Sequence, residues 1–349
     1  MTDNTIKNNK KTDTTVDLLK FVFCILIIAL HTHAVDLLPK SYFAVNVFCR
    51  LAVPYFFAAS GYYLRKKYIN SAKDMYRSVL ISYEKRLLYP YLFFLLIALR
   101  QHWTTYMLEG DSGELIFKRL IQDAFFYPRG ALWFVLALMV AALITYPFMK
   151  IKNGVNICLA VGCLLFLFAL ICNNYYFAVV NTPLQSLVDK YMQVFASARN
   201  GFFVVLIFVS LGMKCFDLNN KSVSDSGKRK KWLAGSVVFF ALYVGEITVL
   251  YFLHCKRIDD TSLYISQLLF VPSLFLTSVL FPVKIPVKIS VLLRNLSTGM
   301  YYLHRPILWW VMFWTENAAV DFIVVSLAAF VICMISYKVK FKNKYYLLK

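Results

Sequence analysis

The sequence predicts an all-α, polytopic integral membrane protein with about ten transmembrane helices and both termini in the cytoplasm. Three observations predict it. Of the 349 residues, 60% are hydrophobic and 17% aromatic, with a mean hydropathy of +0.61; soluble domains run at roughly 45–50% apolar. The apolar residues gather into ten runs, several near the roughly 20 residues a helix needs to cross a bilayer. Basic residues are unevenly divided between the segments that join those runs, which sets an orientation.

Residues 1–15 are polar, carry Lys7, Lys10 and Lys11, and are expected to be a disordered cytoplasmic tail. The spans follow near 16–36, 42–64, 87–102, 131–149, 155–172, 200–216, 232–253, 262–281, 296–315 and 319–337. They make one transmembrane domain over 16–340, and 341–349 is expected to be a basic cytoplasmic tail. With ten spans, one set of connections comprises the N-terminal tail, everything after the tenth span (338–349) and the segments 65–86, 150–154, 214–231 and 282–295. It holds 26 Lys and Arg, and the opposite set holds 9. The richer set is placed inside.

Only 16% of residues are charged, yet the net charge is +20. Basic inner loops account for that imbalance. The cations are split among loops without an aromatic-interleaved patch, which argues against a nucleic-acid partner. The eight cysteines form no CxxC pair and lie mostly in apolar runs, so they read as small buried hydrophobes. No metal site is expected. The first apolar run ends in no small-residue cleavage site and is kept as a helix rather than a signal peptide. No loop is long enough for a separate core. No internal repeat is visible, which argues against an inverted-repeat transporter.

Chemistry must therefore lie within the bundle. The first span, DLLKFVFCILIIALHTH, opens on Asp17 and Lys20 and carries His31. At 1.5 Å per residue His31 lies roughly 16 Å beyond Lys20, around or past the bilayer centre. An ionisable residue at that depth marks a functional site. The second span carries Arg50 and then AVPYFFAASGYYL, in which Pro54 is expected to bend the helix. Ser60 and Gly61 allow a close helix contact. The seventh span has Glu246, and the ninth has His304 and Arg305 near its middle. His31, His304, Arg50 and Arg305 are expected to line one polar cavity. His102 and His254 read as interfacial at outer helix ends, and His33 faces away from His31. A neutral imidazole can take a proton from an acceptor, and arginines can hold an anion or steady an oxyanion. That chemistry fits group transfer across a membrane; it equally fits a proton-coupled transporter.

These residues resemble those of acyltransferase family 3, a family of integral membrane acyltransferases, over nearly the whole chain. The family's first helix has an Asp, an Arg three residues later and a His fourteen residues after the Asp; here these are Asp17, Lys20 and His31. Further matches are Arg50 with AVPYFFAASGYYL, Leu132 to Phe134, Arg199-Asn200-Gly201, and Tyr301-Tyr302-Leu303-His304 with Pro306. Ahead of Pro90-Tyr91 the family has two arginines three apart; this chain has Tyr83 and Arg86. The resemblance implies a bacterial, multi-pass cell-membrane enzyme with no bound cofactor. It would move an acyl group, often acetyl, from cytoplasmic acyl-CoA to a hydroxyl of an envelope polysaccharide or lipid-linked sugar. His31 and His304 are the catalytic candidates. Asp17, Lys20, Arg50, Arg86 and Arg305 are the candidates for substrate or donor binding. The same membrane module resembles that of serine racemases linked to vancomycin resistance, so a small-solute (serine-like) transporter or a non-catalytic membrane module is the alternative. Oligomeric state is not legible in the sequence.

Overall fold

The computed structural model describes residues 13–125, 131–195, 197–222, 226–253 and 262–338. His254, the tail residues 1–12 and the basic tail 341–349 lie outside the described residues. Every regular element among those described is helical. In chain order the helices are α1 (Thr14–His31), α2 (Ser41–Val47), α3 (Ala52–Ile69), α4 (Tyr76–Leu108), α5 (Gly113–Phe125), α6 (Leu132–Phe148) and α7 (Gly154–Ile171). They are followed by α8 (Pro183–Phe195), α9 (Leu206–Ser222), α10 (Ser226–Phe252), α11 (Gln267–Leu280), α12 (Val287–Val311) and α13 (Ala318–Lys338).

Each of the ten apolar runs coincides with one of these helices or with a consecutive pair. Six are long and apolar enough to cross a membrane: α1, the α2–α3 pair, α7, α9 with its preceding turn, α10 and α13. The apolar α6 and α11 are shorter. The remaining two runs fall on α4 and α12, which carry charged residues toward their starts. On α10 and α13 large apolar side chains such as Val237, Leu242, Leu327 and Ile335 stand exposed. An apolar surface of that extent suits lipid contact.

The second span is not one bent helix around Pro54. It breaks earlier, where a 3-10 turn over Cys49–Leu51 joins α2 to α3. Pro54 then falls in the first turn of α3, where a helix has no partner for its N–H groups and a missing one costs nothing. Arg50 sits in the break itself. Irregular backbone at membrane depth is tolerated where it is buried in protein or lines a cavity.

Small residues fix the centre of the bundle. A Cβ on Gly61 of α3 would overlap the backbone carbonyl of Val209, and one on Gly212 of α9 would overlap that of Ala58. The two backbones thus touch, as small residues permit between membrane helices. At one end Arg65 binds Asp217 at 3.0 Å across the same pair. Helix α1 begins at Thr14, so residues 13–15 join the fold rather than the tail. The Thr14 and Thr15 hydroxyls donate to the carbonyls of Val283 (2.6 Å) and Phe281 (2.8 Å), and the Tyr63 hydroxyl donates to Asp13.

Glu246 has a structural explanation. Its carboxylate accepts the backbone N–H groups of Ile265 and Ser266, each at 2.7 Å, and the Tyr175 hydroxyl. It therefore satisfies donors at the start of α11 that the helix cannot satisfy itself.

Candidate active site

Helices α1 and α12 run side by side in the same direction, and each carries a stripe of polar residues at helical spacing. On α1 the stripe is Asp17, Lys20, Cys24 and His31. On α12 it is Ser290, Arg294, Ser297, Tyr301 and His304. The two stripes face each other. At one end Asp17 is buried and accepts bonds from the Ser290 hydroxyl (2.6 Å) and from Arg294 Nε (3.1 Å) and Nη2 (3.0 Å). At the other end the rings of His31 and His304 stack, with centroids 5.3 Å apart and planes 25° apart.

His304 is completely buried. Its Nδ1 lies 2.6 Å from the carbonyl oxygen of Tyr301. A carbonyl only accepts, so Nδ1 carries the proton and Nε2 presents a lone pair. Nε2 has no partner among the described residues. A neutral ring with a bare nitrogen is free to accept a hydrogen bond.

His31 is the last residue of α1, and Thr32 closes the helix by donating from its hydroxyl to the carbonyl of Ile28 at 3.0 Å. His33 turns away in a left-handed conformation, stands exposed and binds Asp36 at 2.9 Å. The His31 side chain lines a cavity of about 80 Å³ together with Arg50, Trp133, Arg199, Ser262 and Tyr301. Each wall is held in place. Arg199 lies 5.8 Å from the centre of the Trp133 ring and donates from Nε to the Ser197 hydroxyl at 3.2 Å. The next residue, Asn200, accepts the N–H groups of Phe202 and Phe203 and so caps a turn of π-helix over Gly201–Val205. Such turns recur at functional sites. A Cβ on Gly201 would lie 2.6 Å from the Ala137 oxygen, so glycine lets this turn close on α6. Opposite, the side-chain oxygen of Asn173 accepts from the N–H groups of Ser262 and Leu263, both at 3.1 Å.

The candidates at the Asp17 end of α1 form a separate cluster. Lys20 lies within electrostatic reach of Asp17, Arg294 and Arg86. Arg86 packs over the ring of Tyr83 at 5.5 Å. The residue standing where the family has its first arginine therefore supplies a ring face to the second one instead of another charge.

Arg305 does not share the His31 cavity. It lines a second space of about 50 Å³ between α4 and α12, with Gln101, His102, Tyr302 and Trp309. The expectation of one polar cavity for all four residues is corrected accordingly: His31 and Arg50 line the first cavity, His304 is completely buried against His31, and Arg305, the next residue of the helix, points in a different direction. His102 is likewise more than interfacial. It binds the buried Asp123 of α5 at 2.9 Å, and Asp123 also takes a hydrogen bond from the Tyr106 hydroxyl at 2.7 Å.

Sequence reasoning missed Arg294 and Ser290 as members of the site, and quoted Arg199 without giving it a role. The signal for Arg294 was present: it lies seven and ten residues before Tyr301 and His304, on one face of the helix.

Residues 13–338 match the family model described as an acyltransferase domain. A protein of Enterococcus faecalis named amino-acid racemase is 23% identical over 248 residues, which cover 70% of this chain and 33% of that protein. The chain thus spans about a third of the length of that relative. No solved structure matches.

Proposed function

Because the chain belongs to the family of acyltransferase domains, we propose that it is a membrane-bound O-acyltransferase using the His31–His304 pair. In this reading it moves an acyl group, acetyl by preference, from cytoplasmic acyl-CoA to a hydroxyl of an envelope glycan or lipid-linked sugar. The observation that carries the reading is the stacked pair of imidazoles, one of them lining a cavity that also holds Arg50 and Arg199. Ten spans in a bacterial cell membrane, with both termini inside, complete the proposal. The excess of basic residues in the inner set of connections supports that orientation.

The mechanism follows from the groups present. His31 takes the proton of the acceptor hydroxyl as its oxygen attacks the thioester carbonyl. Charge then develops on the carbonyl oxygen, where Arg50 and Arg199 can steady it. Collapse of the tetrahedral intermediate breaks the carbon–sulfur bond. The departing CoA thiolate recovers the proton from the His31 imidazolium, leaving the acyl ester and free CoA. Lys20, Arg86 and Arg294 at the inner end of α1 suit the phosphates of the donor. The test is a mass-spectrometric comparison of envelope glycans from cells with and without the gene. Loss of an ester-linked acyl group without the gene is expected; identical glycans in both would count against the reading.

The name of the racemase relative favours one second reading, a path for a small amino acid. Uptake of labelled amino acid by proteoliposomes with no acyl donor present would support it.

A further inference from the structure

We propose that the space between α4 and α12 is an acceptor subsite that holds a small anionic group, a carboxylate or a phosphate, on Arg305. The inference rests on the acyltransferase reading only for the word acceptor; the anion site stands on its own observations.

The first observation is the guanidinium. Arg305 is half-buried on a helix set within the bundle and faces a cavity. Among the described residues no carboxylate lies within ion-pair distance of it and no oxygen accepts a hydrogen bond from it. Its nitrogens are also not among the buried polar atoms sealed without a partner, so they open into the space beside them. An intramembrane charge is costly and is retained where it meets a partner or a substrate. A guanidinium offers a planar fork that matches a carboxylate or a phosphate.

The second observation is that the nearby acid is committed elsewhere. Asp123 is taken by His102 and the Tyr106 hydroxyl, and Gln101 donates its amide to the Pro306 carbonyl at 3.2 Å. These bonds tie α4, α5 and α12 around the space without neutralising Arg305. Tyr302, Arg305, Pro306 and Trp309 share one face of α12, so the cation sits among aromatic walls rather than among anions.

The third is size and position. A space of about 50 Å³ holds roughly three to four water-sized groups, which suits a carboxylate or phosphate better than a sugar ring. Ala131 lines both this space and the His31 cavity. Arg305 also directly follows His304, whose ring stacks on His31. The two spaces adjoin at Ala131, so an acceptor that spans them would put its anionic group on Arg305 and its hydroxyl at His31. Among possible acceptors this selects those with an anionic group close to the reacting hydroxyl.

The test is equilibrium binding to the purified full chain in nanodiscs, without any acyl donor, using lactate, glycerol 3-phosphate and glycerol as probes. Lactate or glycerol 3-phosphate is expected to bind. Glycerol is expected to bind at least about tenfold more weakly, a difference of about 1.4 kcal/mol. Arg305→Gln is expected to abolish the preference for the anion, Arg305→Lys to retain part of it, and Gly235→Ala, remote from the site, to leave it intact. Nanodiscs of phosphatidylcholine alone and with phosphatidylglycerol separate a soluble anion from a lipid headgroup; equal binding in both is expected. The proposal is overturned if glycerol binds as well as the anions, if neither anion binds, if Arg305→Gln binds them unchanged, or if phosphatidylglycerol alone displaces them. Should anions bind through Arg305 while no acyl transfer is ever detected, the enzyme reading fails and the anion site survives.

Discussion

The rings of His31 and His304 stack at 5.3 Å, while Nδ1 of His304 is held on the Tyr301 carbonyl and Nε2 has no partner among the described residues. His304 therefore backs His31 with a fixed ring and an unpartnered nitrogen. His304→Phe keeps a ring of similar bulk and removes both nitrogens. If the nitrogen takes part in proton handling, His304→Phe and His304→Ala lose activity alike, by about 10²-fold. Recovery of kcat in His304→Phe would show that only packing is at stake.

The Asp17–Arg294 pair sets the register of α1 against α12 and so the approach of the two imidazoles at their far ends. The Asp17 side chain is 5% exposed and that of Arg294 45%, so solvent screens the cation and the pair contributes at the low end for a charged bond. Asp17→Ala strands Arg294 and Ser290 and is expected to cost about 1–2 kcal/mol in thermal unfolding. The double variant with Arg294→Ala is expected to cost less than the sum of the two single changes. Simple additivity would mean that the pair does not couple the helices.

At Gly61 the close approach of α3 and α9 leaves no room for a side chain, because the neighbour is backbone and cannot rotate away. Gly61→Ala is expected to destabilise the detergent-solubilised protein by about 1–3 kcal/mol. Gly235→Ala, where the nearest atom is a Phe239 ring carbon at 3.8 Å, is the matched control. It is expected to be neutral or slightly stabilising.

Glu84 lies on α4 ahead of its apolar run, and burial raises its carboxyl from 4.5 to about 7. One of its oxygens is sealed without a partner. The folded protein therefore holds this proton more tightly than the unfolded chain between those two values. Stability falls as pH rises through that window. Glu84→Gln is expected to flatten the slope and to raise the melting temperature at pH 8 relative to the parent. An unchanged pH profile would show that the carboxyl ionises as it does in water.

Much of the architecture was legible in the sequence because lipid demands long apolar helices, and each apolar run coincides with a helix. Gly61 was legible as a close contact for the same reason. Other features depended on neighbours that hydropathy does not register. Glu246 was visible only as a charge inside a span, yet it binds the start of α11. Pro54 looked like a kink, yet the chain had already broken at Cys49–Leu51. Arg294 was counted with an inner loop, although α12 begins at Val287 and carries it onto the face of His304. The short helices α5 and α8 lie in segments treated as loops, since their polar faces dilute the apolar signal. The pairing of His31 with His304 was expected from depth alone; that Arg305 opens onto different space was not, because it depends on side-chain direction.

The central claim is that His31 is the base of an acyl transfer. It is tested most directly by single-turnover transfer from labelled acetyl-CoA to envelope acceptors, using the purified protein and His31→Ala side by side. The account predicts transfer by the parent and a loss of about 10²- to 10⁴-fold in the variant, with the variant still folded and still binding acetyl-CoA. Transfer by His31→Ala at the parental rate would contradict it.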